Sequence, residues 1–324
     1  LKILEVGQKN INRYPDGKCD ALKNEIMKFT SKTHIKTKNI IIGNGSSEIL
    51  ELVAKAFLTK KSEALFSKHS FIVYKLVSNF MNAKIRESNL ITKIGGNFMS
   101  SDLDDMKNKI TSKTKVIFLP NPANPTGALL SHDAIDEFIS KISKKIIVVI
   151  DEAYIEYACM RGYKSCINLL KKYDNVIITR SFSKIYALAG VRIGYGLASE
   201  HLISKINDKR QPFNVNQIAQ LMAIKSLTDT KFVKDSLRDY EKSRIYLCKE
   251  LDKLNLYYID SYANFITIKF GSETKSIFNK LLQSGIILRP LDNYKLPNYL
   301  RLTIGTFKEC KIFIASLKRI LDKK

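Results

Sequence analysis

Residues 179–195 read TRSFSKIYALAGVRIGY, one lysine set among hydroxyls with an arginine eight residues on. Upstream, Asn175–Thr179 is an apolar run that predicts a buried strand of a parallel sheet. The chain leaves it through Ser181, Ser183 and Lys184, crosses the small residues Ala187–Gly190, and becomes extended again at Arg192. A lysine held in a sheet crevice is desolvated, which lowers its pKa and frees the amine as a nucleophile toward carbonyls. Two hydroxyls and a guanidinium beside it make a cup for a dianionic phosphate. An amine for an aldehyde and a cup for a phosphate together suit pyridoxal 5'-phosphate.

The composition sets the frame for that reading. A chain of 324 residues, 45% hydrophobic and 26% charged, builds a sizeable core in one large domain or two ordinary ones. No apolar run reaches the ~20 residues that span a bilayer. No signal peptide is visible, and the chain opens on Leu1 rather than on Met. The five cysteines form no CxxC pair and read as reduced thiols of a cytoplasmic protein. Four histidines without an HExxH or a His/Cys cluster predict no metal site. The net charge of +23 raises the question of nucleic acid. Lysines outnumber arginines about four to one and are scattered along the whole length, with no basic run interleaved with aromatics. The expectation is a solvated lysine surface that draws small phosphorylated anions, with no nucleic-acid partner and no membrane.

Around the central stretch, strand-like and helical patterns alternate. Arg13-Tyr14-Pro15-Asp16-Gly17 is a turn between helix-like fragments of residues 1–30. A strand at 39–43 runs into Gly43-Asn44-Gly45-Ser46-Ser47-Glu48 and a helix over 49–58. Glu48 stands where a dinucleotide fingerprint needs its third glycine, so what remains is a glycine turn at a helix N-terminus, a generic phosphate seat. Strands follow at 63–67, 83–86, 115–119 and 145–150, with helices at 71–81, 103–110 and 134–142 between them. Repeated βα units predict a parallel sheet with helices on both faces and ligands beyond the carboxyl ends of its strands. Three polar segments begin at such ends: Asn121–Gly127, Asp151–Tyr154 and the serine–lysine stretch. Beyond residue 197 the pattern turns helical, with a long helix at 231–254. Strands then follow at 265–270, 286–289 and 300–303, with helices at 274–284 and onward to 321. The predicted organisation is an N-terminal segment (1–30), a large domain (31–243) and a smaller α+β domain (244–324).

These segments in this order resemble the fold-type I pyridoxal-phosphate aminotransferases, and within them the histidinol-phosphate aminotransferases. RYPDG, GNGSSE, NPANPTG, DEAYIEY, RSFSKIYALAGVRIGY, ANF and LRLTIGT fall in register over nearly the whole chain. The resemblance implies that Lys184 carries the cofactor and shuttles a proton, and that Asp151 pairs with its pyridine nitrogen. It also implies that Asn124 and Tyr154 hydrogen-bond the ring oxygen, while Ser181, Ser183, Arg192 and the backbone at Gly45, Ser46 and Ser47 hold the phosphate. Phe71 would stack on the ring, although its surroundings, KHSFIVY, lack the proline usual there. Tyr14 would reach the phosphate in a partner subunit, which implies a homodimer. Arg301 would grip the anionic end of the substrate, with Arg289 a second candidate.

The activity so implied is transamination between L-histidinol phosphate and 2-oxoglutarate, giving imidazole-acetol phosphate and L-glutamate. Relatives that decarboxylate threonine or serine phosphate share the lysine stretch, so that reaction is the alternative, as is transamination of another phosphorylated or aromatic amine. A basic nucleic-acid-binding protein without the cofactor is the remote one. Members of the family carry an N-terminal segment with an Asn-Glu-Asn-Pro-like motif that covers the substrate, and this sequence begins after its place. A protein truly lacking it is expected to bind cofactor with impaired turnover.

Overall fold

The computed structural model describes residues 11–30, 33–92 and 98–322, so the reading of residues 1–10 as helix-like lies outside the described residues. A seven-stranded sheet organises the chain: β1 (Ile40–Gly43), β2 (Glu63–Ser67), β3 (Lys84–Ser88), β4 (Thr114–Pro120), β5 (Ile147–Asp151), β6 (Val176–Ser181) and β7 (Gly194–Ala198). Their spatial order is β1-β7-β6-β5-β4-β2-β3. Strands β3, β2, β4, β5 and β6 are mutually parallel, whereas β7 runs antiparallel to both β6 and β1. The expectation of a parallel sheet therefore needs one correction. The link between β6 and β7 holds only twelve residues and no helix, so the chain turns straight back.

Why the three central strands sit in the middle follows from their sequences. In β4–β6 the β-branched and apolar residues are continuous rather than alternating, the pattern of strands covered on both faces. Alternation then divides each run. Val116, Phe118, Ile147, Val149 and Ile177 enter one apolar cluster, while Ile117, Leu119, Val148, Ile150, Val176 and Ile178 enter the other. On the first face lie α2 (Ser46–Phe57), α3 (Ile72–Phe80) and, near the far end, the helix Glu200–Asn207; on the second lie α1 (Asp20–Phe29), His132–Ser140 and Gln217–Thr228. In chain order the remaining helices are α4 (Leu103–Asn108), α5 (His132–Ser140), α6 (Ile155–Met160), α7 (Glu200–Asn207), α8 (Gln217–Thr228) and α9 (Thr230–Lys253).

A second, wholly antiparallel sheet has the order β10 (Arg289–Pro290), β11 (Tyr299–Thr303), β9 (Phe265–Lys269), β8 (Tyr258–Ile259), accompanied by α10 (Thr274–Gln283) and α11 (Phe307–Leu321). The strand expected at 286–289 shrinks to Arg289–Pro290. Gly285, at φ +75°, ends α10, and the Ile286 N–H bonds back to Leu281 O at 2.9 Å, so it is not available to a ladder. The boundary between residues 243 and 244 falls inside α9, which is unbroken there. Glu250 on α9 pairs with Lys318 on α11 at 2.6 Å, and one apolar cluster runs from β4–β6 into β9, β11 and α11. We propose the two sheets as the two units and α9 as the strut they share.

Candidate active site

The carboxyl ends of β4, β5 and β6 are level. Pro120 is the register partner of Asp151, and Asp151 that of Thr179. Residues side by side on adjacent parallel strands point to the same face, so Thr179 Oγ1 donates to Asp151 Oδ1 at 2.9 Å. The other carboxylate oxygen, Oδ2, accepts from the Tyr74 hydroxyl at 2.8 Å. Asp151 is buried, and burial pushes its carboxyl above the usual range, against the pull of those two donors, the Ala153 N–H and Lys184.

Lys184 lies in the β6–β7 link. Phe182, fully buried against Tyr186 and Tyr195, anchors that link, and the bonds Phe182 N–Ile193 O and Leu188 N–Phe182 O fold it back. The lysine side chain is thereby left at the cavity, its Nζ 5.3 Å from the centre of the Tyr154 ring. Burial lowers its pKa, the nearby Arg301 and Arg192 add to the effect, and Asp151 opposes it. A lysine poised this way has more neutral amine near pH 7 than a free one.

The other wall of the cavity comes from a distant part of the chain. Pairing of β1 with β7 brings the glycine turn and the start of α2 beside Arg192. Gly45 has φ +79°, and a Cβ there would lie 2.3 Å from Arg192 Nη2, so only glycine lets the guanidinium lie across the turn. The helix expected from Ile49 in fact begins at Ser46, directly after Gly45, which leaves the N–H groups of its first turn facing the cavity. Glu48, the residue in place of a third glycine, braces the turn: its Oε2 accepts from Asn44 N at 2.5 Å and from Asn214 Nδ2 at 2.7 Å. Ser181 Oγ accepts from Ser183 N at 3.0 Å, and Ser183 Oγ accepts from Arg192 Nη1 at 3.5 Å.

Asn124 is placed by a loop locked between the sheets. Thr267 Oγ1 donates to Pro125 O at 2.6 Å, and Tyr262 N to Gly127 O at 2.8 Å. Gly127, at φ +78°, has Ser261 Oγ only 2.1 Å from its ideal Cβ position, so the loop and the second sheet meet through this one missing side chain. Arg301 on β11 then reaches across to Asn124 Oδ1 at 2.5 Å. Its guanidinium carbon lies 4.8 Å from the Phe265 ring centre, and its Nε is buried with no hydrogen-bond partner among the described residues.

Asp151, Lys184, Asn124, Tyr154, Ser46, Ser47, Ser181, Ser183, Arg192 and Phe71 all border one cavity of about 170 Å³. One cavity thus holds an amine of lowered pKa, a buried carboxylate, and two serine hydroxyls with a guanidinium. The profile of the family described as aminotransferase class I and II matches residues 3–317. The chain belongs to that family. The histidinol-phosphate aminotransferase 1 of Idiomarina loihiensis is 37% identical over 317 residues, covering 98% of this chain and 84% of that protein. The solved histidinol-phosphate aminotransferase of Clostridium acetobutylicum superposes with a TM-score of 0.89 at 27% identity, over 99% of this chain and 94% of that one. The enzyme of the same name from Sinorhizobium meliloti, solved in complex with pyridoxal-5'-phosphate, shares the fold: TM-score 0.87 at 22% identity, over 99% and 87% of the two chains.

In this aminotransferase four of the residues named from the sequence do not line the cavity: Gly45 and Arg301, which neighbour its lining residues Arg192 and Asn124, and Tyr14 and Arg289, which stand apart from it. Tyr14 is 82% exposed and stacks on Phe213, ring centres 4.8 Å apart. Arg289 is exposed and is the direct cross-strand neighbour of Arg301. Tyr74 and Thr179 were not singled out, yet both hold Asp151. The signal for Tyr74 was its spacing: three residues after Phe71 on one helix, it had to share that face. For Thr179 it was the matching ends of two apolar strands. Among the described residues no helix is long and apolar enough to cross a membrane.

Proposed function

We propose that this aminotransferase uses pyridoxal 5'-phosphate to move the amino group of L-histidinol phosphate to 2-oxoglutarate, forming imidazole-acetol phosphate and L-glutamate. The observation that carries the reading is that Lys184 and Asp151, from neighbouring strand ends, border one cavity with a hydroxyl–guanidinium seat beside them. The seat suits a phosphate, because the space over Gly45 is filled by a guanidinium rather than a Cβ. When bound, the cofactor supplies an electron sink for the substrate α-carbon.

The chain supplies the rest. Lys184, with its lowered pKa, would hold the cofactor through its amine and would take the substrate's α-proton. Asp151, given two hydroxyl donors, would pair with the ring nitrogen. Arg192, Ser181, Ser183 and the first turn of α2 would grip the phosphate, Phe71 would stack on the ring, and Asn124 and Tyr154 would hydrogen-bond its oxygen. Arg301, whose buried Nε has no partner among the described residues, would take the anionic end of each substrate, and Arg289 beside it would add positive charge. The exposed Tyr14–Phe213 pair supports a homodimer in which Tyr14 reaches the second copy's phosphate. Five free cysteines support a cytoplasmic setting.

The test is to load the protein with pyridoxal 5'-phosphate, reduce with borohydride and map the modified peptide. Labelling at Lys184 and, in a separate unreduced sample, glutamate formation from 2-oxoglutarate with histidinol phosphate in preference to aromatic amines are the expected results. Label elsewhere overturns the chemistry. Carbon dioxide release from threonine phosphate without a keto acid overturns the reaction assigned.

A further inference from the structure

Asp151 ends β5 in the apolar layer between the sheet and α2, α3 and α7, a place where a carboxylate alone is costly. Two hydroxyls reach it, and they are held very differently. Thr179 is its strand neighbour and arrives with the sheet register. Tyr74 comes from outside the sheet. It has no exposed surface, its ring lies parallel to Phe118 (5° between planes, centres 5.0 Å apart), and Phe71 meets it edge-on at 5.9 Å and 89°. The ring therefore has no freedom to swing, and its hydroxyl is aimed at Asp151 Oδ2 from a fixed platform. Phe71 and Tyr74 are the N-cap and third residue of the same short helix, so one rigid turn carries both the aromatic that borders the cavity and the hydroxyl that grips the acid.

We infer that Tyr74 is a positioning residue: its hydroxyl fixes the orientation of the Asp151 carboxylate toward the cofactor's ring nitrogen, and α3 thereby sets the ring's face contact and its acid partner together. This rests on the function proposed above. The ionisable groups facing Asp151 are Tyr74 from α3, Tyr154 from the segment after β5 and Lys184 from the β6–β7 link. Of these, Lys184 alone is cationic, and its effect on Asp151 is smaller than that of either hydroxyl.

The experiment compares wild type with Tyr74→Phe for cofactor dissociation constant against pH, read from the visible absorption of bound pyridoxal 5'-phosphate. Removing the donor raises the Asp151 pKa, so the acid limb of cofactor binding moves up by about one pH unit. On the acid side of that limb the cofactor binds about tenfold more weakly, while the melting temperature of the unloaded protein changes little. Replacing Tyr74 by 3,5-difluorotyrosine, whose more acidic hydroxyl donates more strongly, moves the limb the other way; this arm stands even if Tyr74→Phe folds poorly. A merely structural tyrosine would change stability and leave both limbs where they are. Unchanged limbs in a wild type that binds cofactor at Lys184 overturn the inference alone, whereas a wild type that binds none overturns the function beneath it.

Discussion

Arg301 donates from Nη1 to Asn124 Oδ1 at 2.5 Å, while its Nε, buried at the same spot, meets no acceptor among the described residues. An unsatisfied buried N–H beside a cavity is expensive, about 1–3 kcal/mol, and the expense is recovered when an anion arrives. Arg301 is thus held on one side by a residue that lines the cavity and left open on the other among the described residues. Arg301→Gln is expected to raise KM for both the phosphorylated amine and 2-oxoglutarate by roughly 10- to 100-fold, in line with losing about 1.5–3 kcal/mol of charge-assisted bonding. Cofactor absorption stays. Steady-state kinetics decide it: an unchanged KM for both substrates removes Arg301 from the substrate site.

The same arginine depresses the Lys184 pKa, second only to burial. Take it away and the protonated amine is less disfavoured, so the pKa rises and the neutral fraction at a given pH falls. In the Arg301→Gln variant, the rate at which added pyridoxal 5'-phosphate bonds covalently to Lys184 should therefore reach its plateau at higher pH than in wild type. Stopped-flow traces between pH 6 and pH 9 test the direction. A plateau displaced downward contradicts the electrostatic account.

Gly45 faces two penalties at once if given a side chain. Its φ of +79° strains any L-residue by about 1 kcal/mol, and the Cβ would drive Arg192 off the turn. Gly45→Ala should lower the melting temperature by only a few degrees but let the cofactor be lost on dialysis, because the guanidinium no longer lies at the phosphate seat. Retention equal to wild type would mean that Arg192 is not what holds the phosphate.

The sequence made the large sheet legible because β4, β5 and β6 are unbroken apolar runs, and residues that follow such runs must emerge at a shared edge. Asp151, Asn124 and Lys184 could be placed together on that basis before any coordinates. What periodicity did not reveal is tertiary. That β7 returns antiparallel depends on a twelve-residue link pinned by Phe182, not on β7's own residues. The start of α2 at Ser46 hinges on the backbone of Gly45, while the apolar pattern marks only the buried face from Ile49 onward. Ile286–Leu288 look like a strand yet follow a helix cap that takes up their first donor. Tyr74 is a fully buried core aromatic, and only the aim of its hydroxyl at Asp151 makes it part of the site.

A last prediction concerns a carboxyl that the chemistry does not use. Glu156, in the first turn of α6, is driven by burial to a pKa of about 7; Arg180 pulls it down and Glu152 pushes it up. Arg180 is already committed to Glu152, through Nε at 3.1 Å and Nη2 at 2.9 Å, so it screens Glu156 incompletely. In the unfolded chain the same carboxyl titrates near 4.5. Between those two values the folded protein keeps a proton that the unfolded chain has released, so stability falls as pH rises through this window and levels off above about 7. Below it both states are protonated and nothing is lost. Glu156→Gln keeps the shape and removes the titration. It should melt like wild type at pH 4.5 but be more stable at pH 8, by about 1–2 kcal/mol after allowing for partial solvation of the group. Chemical denaturation at the two pH values reads this directly, and equal differences at both would show that Glu156 is ionised in the folded protein throughout.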